Sequence, residues 1–266
     1  MFDSIAGDYD ALNHILSLDV DKIWRRKALK QIVDAPAPVQ VLDLACGTGD
    51  FSIAIAKALS RSHKRVGTPI EAHVKVPAKA PVEAQVTSTG FVTGDSGRSD
   101  LMTKGHVTGV DLSEGMLAVM REKVAKAGLT EMISIEEGDG ENLRFPDNTF
   151  DRVTIAFGIR NFEDRPKGLR EMLRVLKPGG RLVILELSRP ENKVIRWFYD
   201  LYFLHILPKI GGKVSGDKAA YAYLPASVAA FPGKKAFMAT MREAGFRTVT
   251  HKAFTLGICR MYTGEK

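Results

Sequence analysis

Cysteine and long apolar runs are scarce in this sequence of 266 residues. Cys46 and Cys259 are the only cysteines, and two thiols so far apart in sequence indicate neither a disulfide framework nor a zinc site. No apolar run approaches the roughly 20 residues that a membrane-spanning helix needs. Residues 1–4 also lack the basic start of a signal peptide. We therefore expect a protein of the reducing cytoplasm with no disulfide and no metal centre.

Basic charge is present but scattered along the chain. Lysine and arginine number 38 against 31 acidic residues, which gives a formal net charge of +7. Such a balance is compatible with a nucleic acid, an anionic membrane surface or an acidic small molecule as partner. The basic residues are not interleaved with aromatic ones as in RNA-binding modules, so we expect no nucleic-acid partner.

Short apolar runs alternate with amphipathic stretches along most of the chain, which is typical of an α/β protein. The pattern predicts strands at 39–45, 107–111, 133–137, 151–157 and 181–187, helices at 51–59, 113–127, 166–176 and 237–244, and a closing hairpin from 246–254 and 258–262. We predict a Rossmann-like, doubly wound, mostly parallel sheet with an antiparallel last strand.

The whole chain, 1–266, is expected to form a single domain with three additions. Residues 1–38 are interpreted as an N-terminal helical lid and residues 190–235 as a helical substrate cap. Residues 61–106 are rich in Pro, Gly, Ser, Thr and Val without a sustained period, a composition that favours a flexible insertion.

A glycine-containing loop follows the first strand, where parallel sheets place their ligands. Gly47 and Gly49 allow the backbone to turn sharply and approach a ligand closely, and Asp43 precedes them on the strand. A dinucleotide-binding loop requires a third glycine three positions after Gly49, and this chain has Ser52 there. A cofactor with a pyrophosphate is therefore disfavoured.

Acidic residues end the second and third predicted strands. Asp111 lies 62 residues after Gly49, but removal of the 61–106 segment nearly restores the usual spacing for an acid that binds a ribose diol. Asp139, followed by Gly140, is placed to bind an adenine. Each acid alone is best explained as a solvated loop residue or a helix cap. In combination the set predicts a class I methyltransferase that uses S-adenosylmethionine.

Five segments resemble one family, the ubiquinone/menaquinone biosynthesis C-methyltransferases. They read FDSIAGDYD at 2–10, VLDLACGTGD at 41–50, FGIRN at 157–161, RVLKPGGR at 174–181 and YLPASVAAFP at 223–232. The second and fourth occur in many class I methyltransferases, whereas the others are particular to this family. The resemblance covers nearly the whole chain outside the 61–106 segment.

The resemblance implies roles for individual residues. Thr48, Asp111, Asp139 and Gly140 are expected to bind the cofactor, while some family members have a further serine contact where this chain has Ala156. Tyr9, Arg160 and Asn161 are expected to face a quinol substrate. The guanidinium group of arginine keeps its proton at neutral pH and therefore cannot act as a base. Arg160 is instead assigned to stabilising a phenolate and orienting a water. His205 and His251 titrate in the right range for a base, but neither belongs to a recognised motif.

The segment 195–207 is dense in aromatic and aliphatic residues and is flanked by lysine and arginine. Three interpretations remain open: it lines a groove for an isoprenoid tail, it contacts a membrane surface, or it is a buried helix of the cap. The lysines favour a position peripheral to the membrane.

Demethylmenaquinol is the substrate that the resemblance favours, because residues 256–262 are closer to menaquinone-type members. Methylation of a ubiquinone precursor, methylation of RNA or protein, and a non-catalytic scaffold in a quinone-biosynthesis complex are the alternatives. The sequence leaves the oligomeric state open, with a homodimer as the candidate.

Overall fold

The computed structural model describes residues 20–34, 39–66, 105–202 and 218–266, with the backbone alone at 62–66 and 218–222. Tyr9, His205 and most of the 61–106 segment therefore lie outside the described residues. No helix within the described ranges is long and apolar enough to cross a bilayer.

Helices and strands alternate along the described chain. In order they are α1 (Val20–Ile32), β1 (Gln40–Leu44), α2 (Asp50–Val66), β2 (His106–Asp111), α3 (Glu114–Lys126), β3 (Ile133–Glu137), β4 (Phe150–Ala156), a 3₁₀ turn (Ile159–Asn161), α4 (Arg165–Val175), β5 (Leu176–Leu187), α5 (Lys193–Leu201), α6 (Lys218–Ala230), α7 (Lys234–Glu243), β6 (Arg247–Phe254), a second 3₁₀ turn (Thr255–Gly257) and β7 (Cys259–Glu265).

The strands of these described ranges form one seven-stranded sheet in the order β3-β2-β1-β4-β5-β7-β6. The neighbours from β3 to β5 pair in parallel, and β7 enters antiparallel between β5 and β6. The predicted fold class, including the antiparallel last strand, is confirmed. The strand order reverses at β1: β2 and β3 lie on one side of β1, and β4 and β5 lie on the other. At such a switch point the connections diverge, and a crevice opens at the carboxyl ends of β1 and β4.

Helices cover both faces of the sheet. Alternate side chains of β1 point to opposite faces, so Val41 packs with the residues of α1, α2 and α3, while Leu42 and Leu44 pack with those of α4 and α7. Both layers are fully closed at this strand, since all three side chains are 0% exposed. The loop after β1 is thus anchored to a rigid central strand.

Two predicted boundaries are corrected. The helix after β1 runs to Val66 and β2 begins at His106, so both ends of the 61–106 segment belong to regular elements. The fifth strand begins at Leu176 instead of residue 181. Phe150 pairs with Leu176 before the register shifts and Arg152 pairs with Arg181, so the Lys-Pro-Gly-Gly run is extended around an irregularity and does not simply end a helix.

Helix α1 corrects part of the predicted N-terminal lid. Trp24, Ala28 and Ile32 are buried against the sheet, and the indole Nε1 of Trp24 donates to Oγ1 of Thr255 at 2.9 Å. Residues 20–32 are therefore part of the core. Residues 1–19 lie outside the described ranges.

Candidate active site

A cavity of about 450 Å³ lies at the carboxyl ends of β1, β2, β3 and β4. Its volume falls in the range of about 300–1,000 Å³ that small-molecule sites occupy. Three groups of residues form its wall. They are the loop after β1 (Ala45, Gly47), the ends of β2 and β3 with the start of α3 (Asp111, Leu112, Ser113, Met116, Gly138, Asp139, Gly140, Glu141), and the end of β4 with the segment that follows it (Ala156, Phe157, Gly158, Asn161, Phe162, Glu163).

The loop after β1 has the close backbone approach that its glycines suggested. Gly47 and Gly49 adopt φ values of 56° and 83°, which residues with a side chain rarely adopt. A Cβ on Gly49 would also lie 2.4 Å from Cγ of Met120. The amide N of Gly47 donates to Oδ2 of Asp111 at 2.8 Å, so the loop is fastened to the end of β2.

Asp111, Asp139 and Gly140 come together on one wall, as expected from their positions after strands. Asp111 accepts a second bond from the amide N of Ser113 at 2.9 Å. Asp139 accepts from the amide N of Glu141 at 2.8 Å. A carboxylate has about four acceptor positions, so Asp139 retains capacity for a donor on a ligand such as an adenine amino group. Asp111 faces the same cavity, where its carboxylate suits ribose hydroxyls.

Asp43 and Thr48 lie behind this wall, around a smaller cavity of about 30 Å³. Asp43 is 1% exposed and accepts from Oγ of Ser52 at 2.5 Å. Burial raises the pKa of Asp43 to about 7, and the Ser52 bond and the charge of Arg25 oppose the rise. The hydroxyl of Thr48 accepts from Nζ of Lys123 at 3.2 Å. Neither residue contacts the larger cavity.

Arg160 is not on the cavity wall. Its Nη1 lies 2.8 Å from Oε1 of Glu186, and the two side chains are 7% and 0% exposed. The amide N of Arg160 donates to the other carboxylate oxygen at 3.1 Å, and Nε donates to Oγ of Ser227 at 3.3 Å. The guanidinium also donates to the carbonyl of Phe157. Arg160 is therefore a buried residue bound to the end of β5 and to α6.

Asn161 does line the cavity, and it is held from α6. Its Oδ1 accepts from the hydroxyl of Tyr223 at 2.9 Å. Tyr223 and Ser227 lie one turn apart on α6, so consecutive residues of the 3₁₀ turn bond to one face of this helix. Sequence reasoning missed Glu186 and Ser227 as site residues. The signal for Glu186 was a single acid near the end of the apolar run 182–187.

His251 and Cys46, the remaining candidates, both lie in surroundings that do not indicate a catalytic role. His251 lies on the edge strand β6, where its Nδ1 is 3.4 Å from Nη1 of Arg260, and it does not line the cavity. Burial raises the pKa of the Cys46 thiol well above its ordinary range, as expected for a packed residue and not for a nucleophile.

The residues present fit S-adenosylmethionine. The glycine loop leaves room for a ligand over the end of β1, and the two carboxylates at the ends of β2 and β3 suit a ribose and an adenine. No residue in the loop supplies the third glycine of a pyrophosphate site.

Fold and site together define a class I methyltransferase that depends on S-adenosylmethionine. A putative S-adenosylmethionine-dependent methyltransferase from Methanococcus maripaludis shares the fold, with a TM-score of 0.59, 17% identity, and coverage of 100% of this chain and 94% of that one. Phosphoethanolamine N-methyltransferase 2 of Haemonchus contortus, solved with S-adenosylmethionine, gives a TM-score of 0.55 at 14% identity over 92% of this chain and 52% of that one.

The chain belongs to the ubiE/COQ5 methyltransferase family, whose model matches residues 1–266. A similar relative is the ubiquinone/menaquinone biosynthesis C-methyltransferase UbiE of Geobacter sulfurreducens, at 44% identity over 100% of this chain and 87% of the relative. The demethylmenaquinone methyltransferase of Bacteroides fragilis is 40% identical over 100% of this chain and 91% of its own length. The family resemblance found in the sequence is confirmed.

Proposed function

We propose that this protein methylates a ring carbon of demethylmenaquinol and so forms menaquinol. The names of the relatives at 40–44% identity support this substrate class. The geometric observation that carries the proposal is the position of Asn161, on the wall of the cofactor-sized cavity and bonded to the cap through Tyr223. A polar side chain held in this way can orient a ring oxygen beside the cofactor site.

S-adenosylmethionine, when bound, supplies an electrophilic methyl group on a sulfonium. The protein must then align the ring carbon, exclude water and favour the phenolate form of the quinol. Arg160 directly precedes Asn161, and its guanidinium is paired with the buried carboxylate of Glu186. The guanidinium of Arg160 is not a base at neutral pH and already donates to Glu186, Ser227 and the carbonyl of Phe157. We therefore assign Arg160 to holding the turn that carries Asn161, while the family resemblance alone supports a role in stabilising the phenolate and orienting a water.

Tyr9 remains in the proposal from the family resemblance alone, as a donor to the ring oxygen or as part of a closing N-terminal segment. Thr48 and Asp43 are proposed to support the cofactor loop from behind, and Asp111, Asp139, Gly47 and Gly140 to contact the cofactor directly. Gly49, predicted from the sequence to bind the cofactor, lines neither cavity and is proposed to give the loop its sharp turn. Methylation of the ubiquinone precursor is the alternative, with a non-catalytic scaffold less favoured.

Labelled cofactor decides among these functions. The purified protein is incubated with methyl-labelled S-adenosylmethionine and either demethylmenaquinol or the demethylated benzoquinol precursor. We expect label in menaquinol, loss of at least about 10²-fold in rate for Arg160→Ala, and no change for Arg170→Ala, an exposed arginine on α4. Label in the benzoquinol alone supports the ubiquinone alternative, and label in neither overturns the proposal.

We also propose peripheral contact with a membrane through α5. Val194, Trp197 and Phe198 are 60–65% exposed on this helix, next to the exposed Lys193. An amphipathic helix with aromatic residues on one face and a basic flank suits an anionic lipid surface, where an isoprenoid quinol resides. Trp197→Glu is expected to reduce co-sedimentation with anionic vesicles, whereas Leu256→Glu, at a second exposed apolar position, is not. Equal binding by both variants contradicts this contact.

The homodimer also remains a prediction. Sedimentation velocity on the full chain tests it, with a single monomeric species over the whole concentration range as the contrary result.

A further inference from the structure

Arg25 of α1 lies beside the cofactor loop. It lines the smaller cavity together with Asp43, Gly47, Thr48 and Asp50. The smaller and larger cavities share four wall residues: Ala45, Gly47, Ala156 and Phe157. The two spaces are therefore neighbours at the loop after β1, and a ligand that extends from Asp111 past Gly47 would come within reach of Arg25.

The guanidinium of Arg25 makes only long contacts with its two carboxylate partners. Its Nη1 is 3.4 Å from Oδ2 of Asp50, and its Nη2 is 3.6 Å from Oδ2 of Asp21. Charge-assisted hydrogen bonds of this kind are usually about 2.7–2.9 Å long. The Nε of Arg25 is buried and has no hydrogen-bond partner among the described residues.

Packing keeps the Arg25 side chain near the loop. Its guanidinium carbon lies 5.8 Å from the centre of the Phe157 ring, and the same ring contacts Trp24 at 6.2 Å between centroids. Phe157 lies on the walls of both cavities. The side chain of Arg25 is 18% exposed, so its charge is partly shielded from water. A buried N–H without an acceptor costs about 1–3 kcal/mol, and a ligand acceptor at this position would remove that cost.

The smaller cavity is lined by both a cation, Arg25, and carboxylates, so its charges are complementary to those of a zwitterion. Asp50 already pairs with Lys123 as well as with Arg25. Asp43 supplies a second carboxylate on the same wall, accepting a bond from Ser52. A ligand that brings both a carboxylate and an ammonium to this space can pair each charge with an opposite one. The methionine end of S-adenosylmethionine is such a group.

We propose that Arg25 binds the methionine carboxylate of the cofactor through its guanidinium fork, and that Asp43 lies on the ammonium side. The inference rests on the cofactor of the proposed function and not on the identity of the quinol. Arg25 is then a cofactor-binding residue on a helix that the sequence alone presented as a lid.

Ligands that differ only in the amino-acid end test the assignment by calorimetry, without any quinol. S-adenosylhomocysteine carries carboxylate and ammonium, its decarboxylated analogue carries the ammonium alone, and 5′-methylthioadenosine carries neither. For Arg25→Ala we expect S-adenosylhomocysteine to bind about 10- to 100-fold more weakly, whereas both other ligands change less than twofold. Arg25→Lys, which keeps the charge and loses the fork, is expected to fall between.

Arg26→Ala is the matched control, because Arg26 is the next residue on α1 and is exposed. It should leave the binding of all three ligands unchanged. Equal weakening of all three ligands by Arg25→Ala indicates a purely structural role and overturns the proposal, as does unchanged binding of S-adenosylhomocysteine. Since no methyl transfer is measured, a wrong quinol assignment leaves this result intact.

Discussion

Arg160 and Glu186 form a buried ion pair that joins the turn after β4 to the end of β5. Besides the 2.8 Å contact between Nη1 and Oε1, Glu186 accepts from the amide N of Arg160 and from that of Leu187. One carboxylate therefore fixes both the backbone and the side chain of Arg160. Because the pair is buried, removing one partner leaves an uncompensated charge.

Glu186→Gln tests this pair. The change keeps the side-chain shape but removes the charge that neutralises Arg160, and we expect a loss of about 3–5 kcal/mol in the free energy of unfolding, measured in urea. Glu122→Gln is the control, because Glu122 is 73% exposed and pairs with Lys126, which is 78% exposed, on the surface of α3, where such pairs contribute at most about 1 kcal/mol. Similar losses for both variants would contradict the importance of burial.

Tyr223→Phe removes only the hydroxyl that donates to Asn161. If this bond orients Asn161 towards the quinol, kcat/KM for the quinol should fall about tenfold, which corresponds to about 1.4 kcal/mol, while the affinity for S-adenosylhomocysteine stays constant. In the Asn161→Ala background the same change should have little further effect. Additive losses in the double variant, or weaker cofactor binding, would show that the hydroxyl acts elsewhere.

The fold was largely accessible from the sequence, whereas part of the site was not. Gly47 and Asp139 follow strands and Asp111 ends one. Because the carboxyl ends of parallel strands lie at the same edge of the sheet, their meeting could be expected from strand order. Glu186 and Ser227 reach Arg160 from segments 26 and 67 residues away. The Ser227 contact depends on how α6 packs on the turn after β4, and the periodicity of the sequence does not predict that packing.

The position of Arg25 also could not be predicted from the sequence. Its position beside Asp50 follows from the packing of α1 on the sheet through Trp24, and from the sequence α1 was interpreted as a lid. The boundary of β5 was misplaced for a local reason, because Pro and Gly at 178–180 usually end elements but here occupy an irregular stretch of the strand.

Gly158 leaves room for the loop after β1. A Cβ at this position would lie 2.4 Å from Cβ of Ala45, an atom fixed to the backbone, although the φ of −107° suits any residue. We expect Gly158→Ala to cost about 1–3 kcal/mol by overpacking and to weaken cofactor binding. Ala45 has a φ of 48°, a conformation that favours glycine. Ala45→Gly should therefore remove both the contact between the two Cβ atoms and the backbone strain, and the double variant should recover stability.

The control for this pair is Gly233→Ala, because a Cβ there meets nothing within 4 Å and the φ is −61°. Gly233 is the N-cap of α7, where alanine is less favourable than glycine, so we expect a small fall in melting temperature that is clearly less than that of Gly158→Ala. If Gly158→Ala melts at the same temperature as Gly233→Ala, the contact with Ala45 is not a constraint.

Asp43 makes stability depend on pH in an unusual direction. Burial raises its pKa from 3.8 to about 7, while the bond from Ser52 and the charge of Arg25 act against the rise. Between these two values the folded protein binds a proton that the unfolded chain has released. Stability conferred by the neutral carboxyl is therefore lost as pH rises from about 4 to about 7, the reverse of a salt-bridged acid.

Asp43→Asn removes this titration while keeping an oxygen that can accept from Ser52. The free energy of unfolding of the variant, relative to the parent protein, should rise by about 2–3 kcal/mol between pH 5 and pH 8. Urea unfolding without cofactor at these two pH values measures it. Ser52→Ala provides the complementary case: without the bond that lowers the pKa of Asp43, the pH-dependent loss should extend to higher pH. A constant difference between Asp43→Asn and the parent would mean that Asp43 is already ionised in the folded protein at pH 5, and that a cation such as Arg25 compensates its burial.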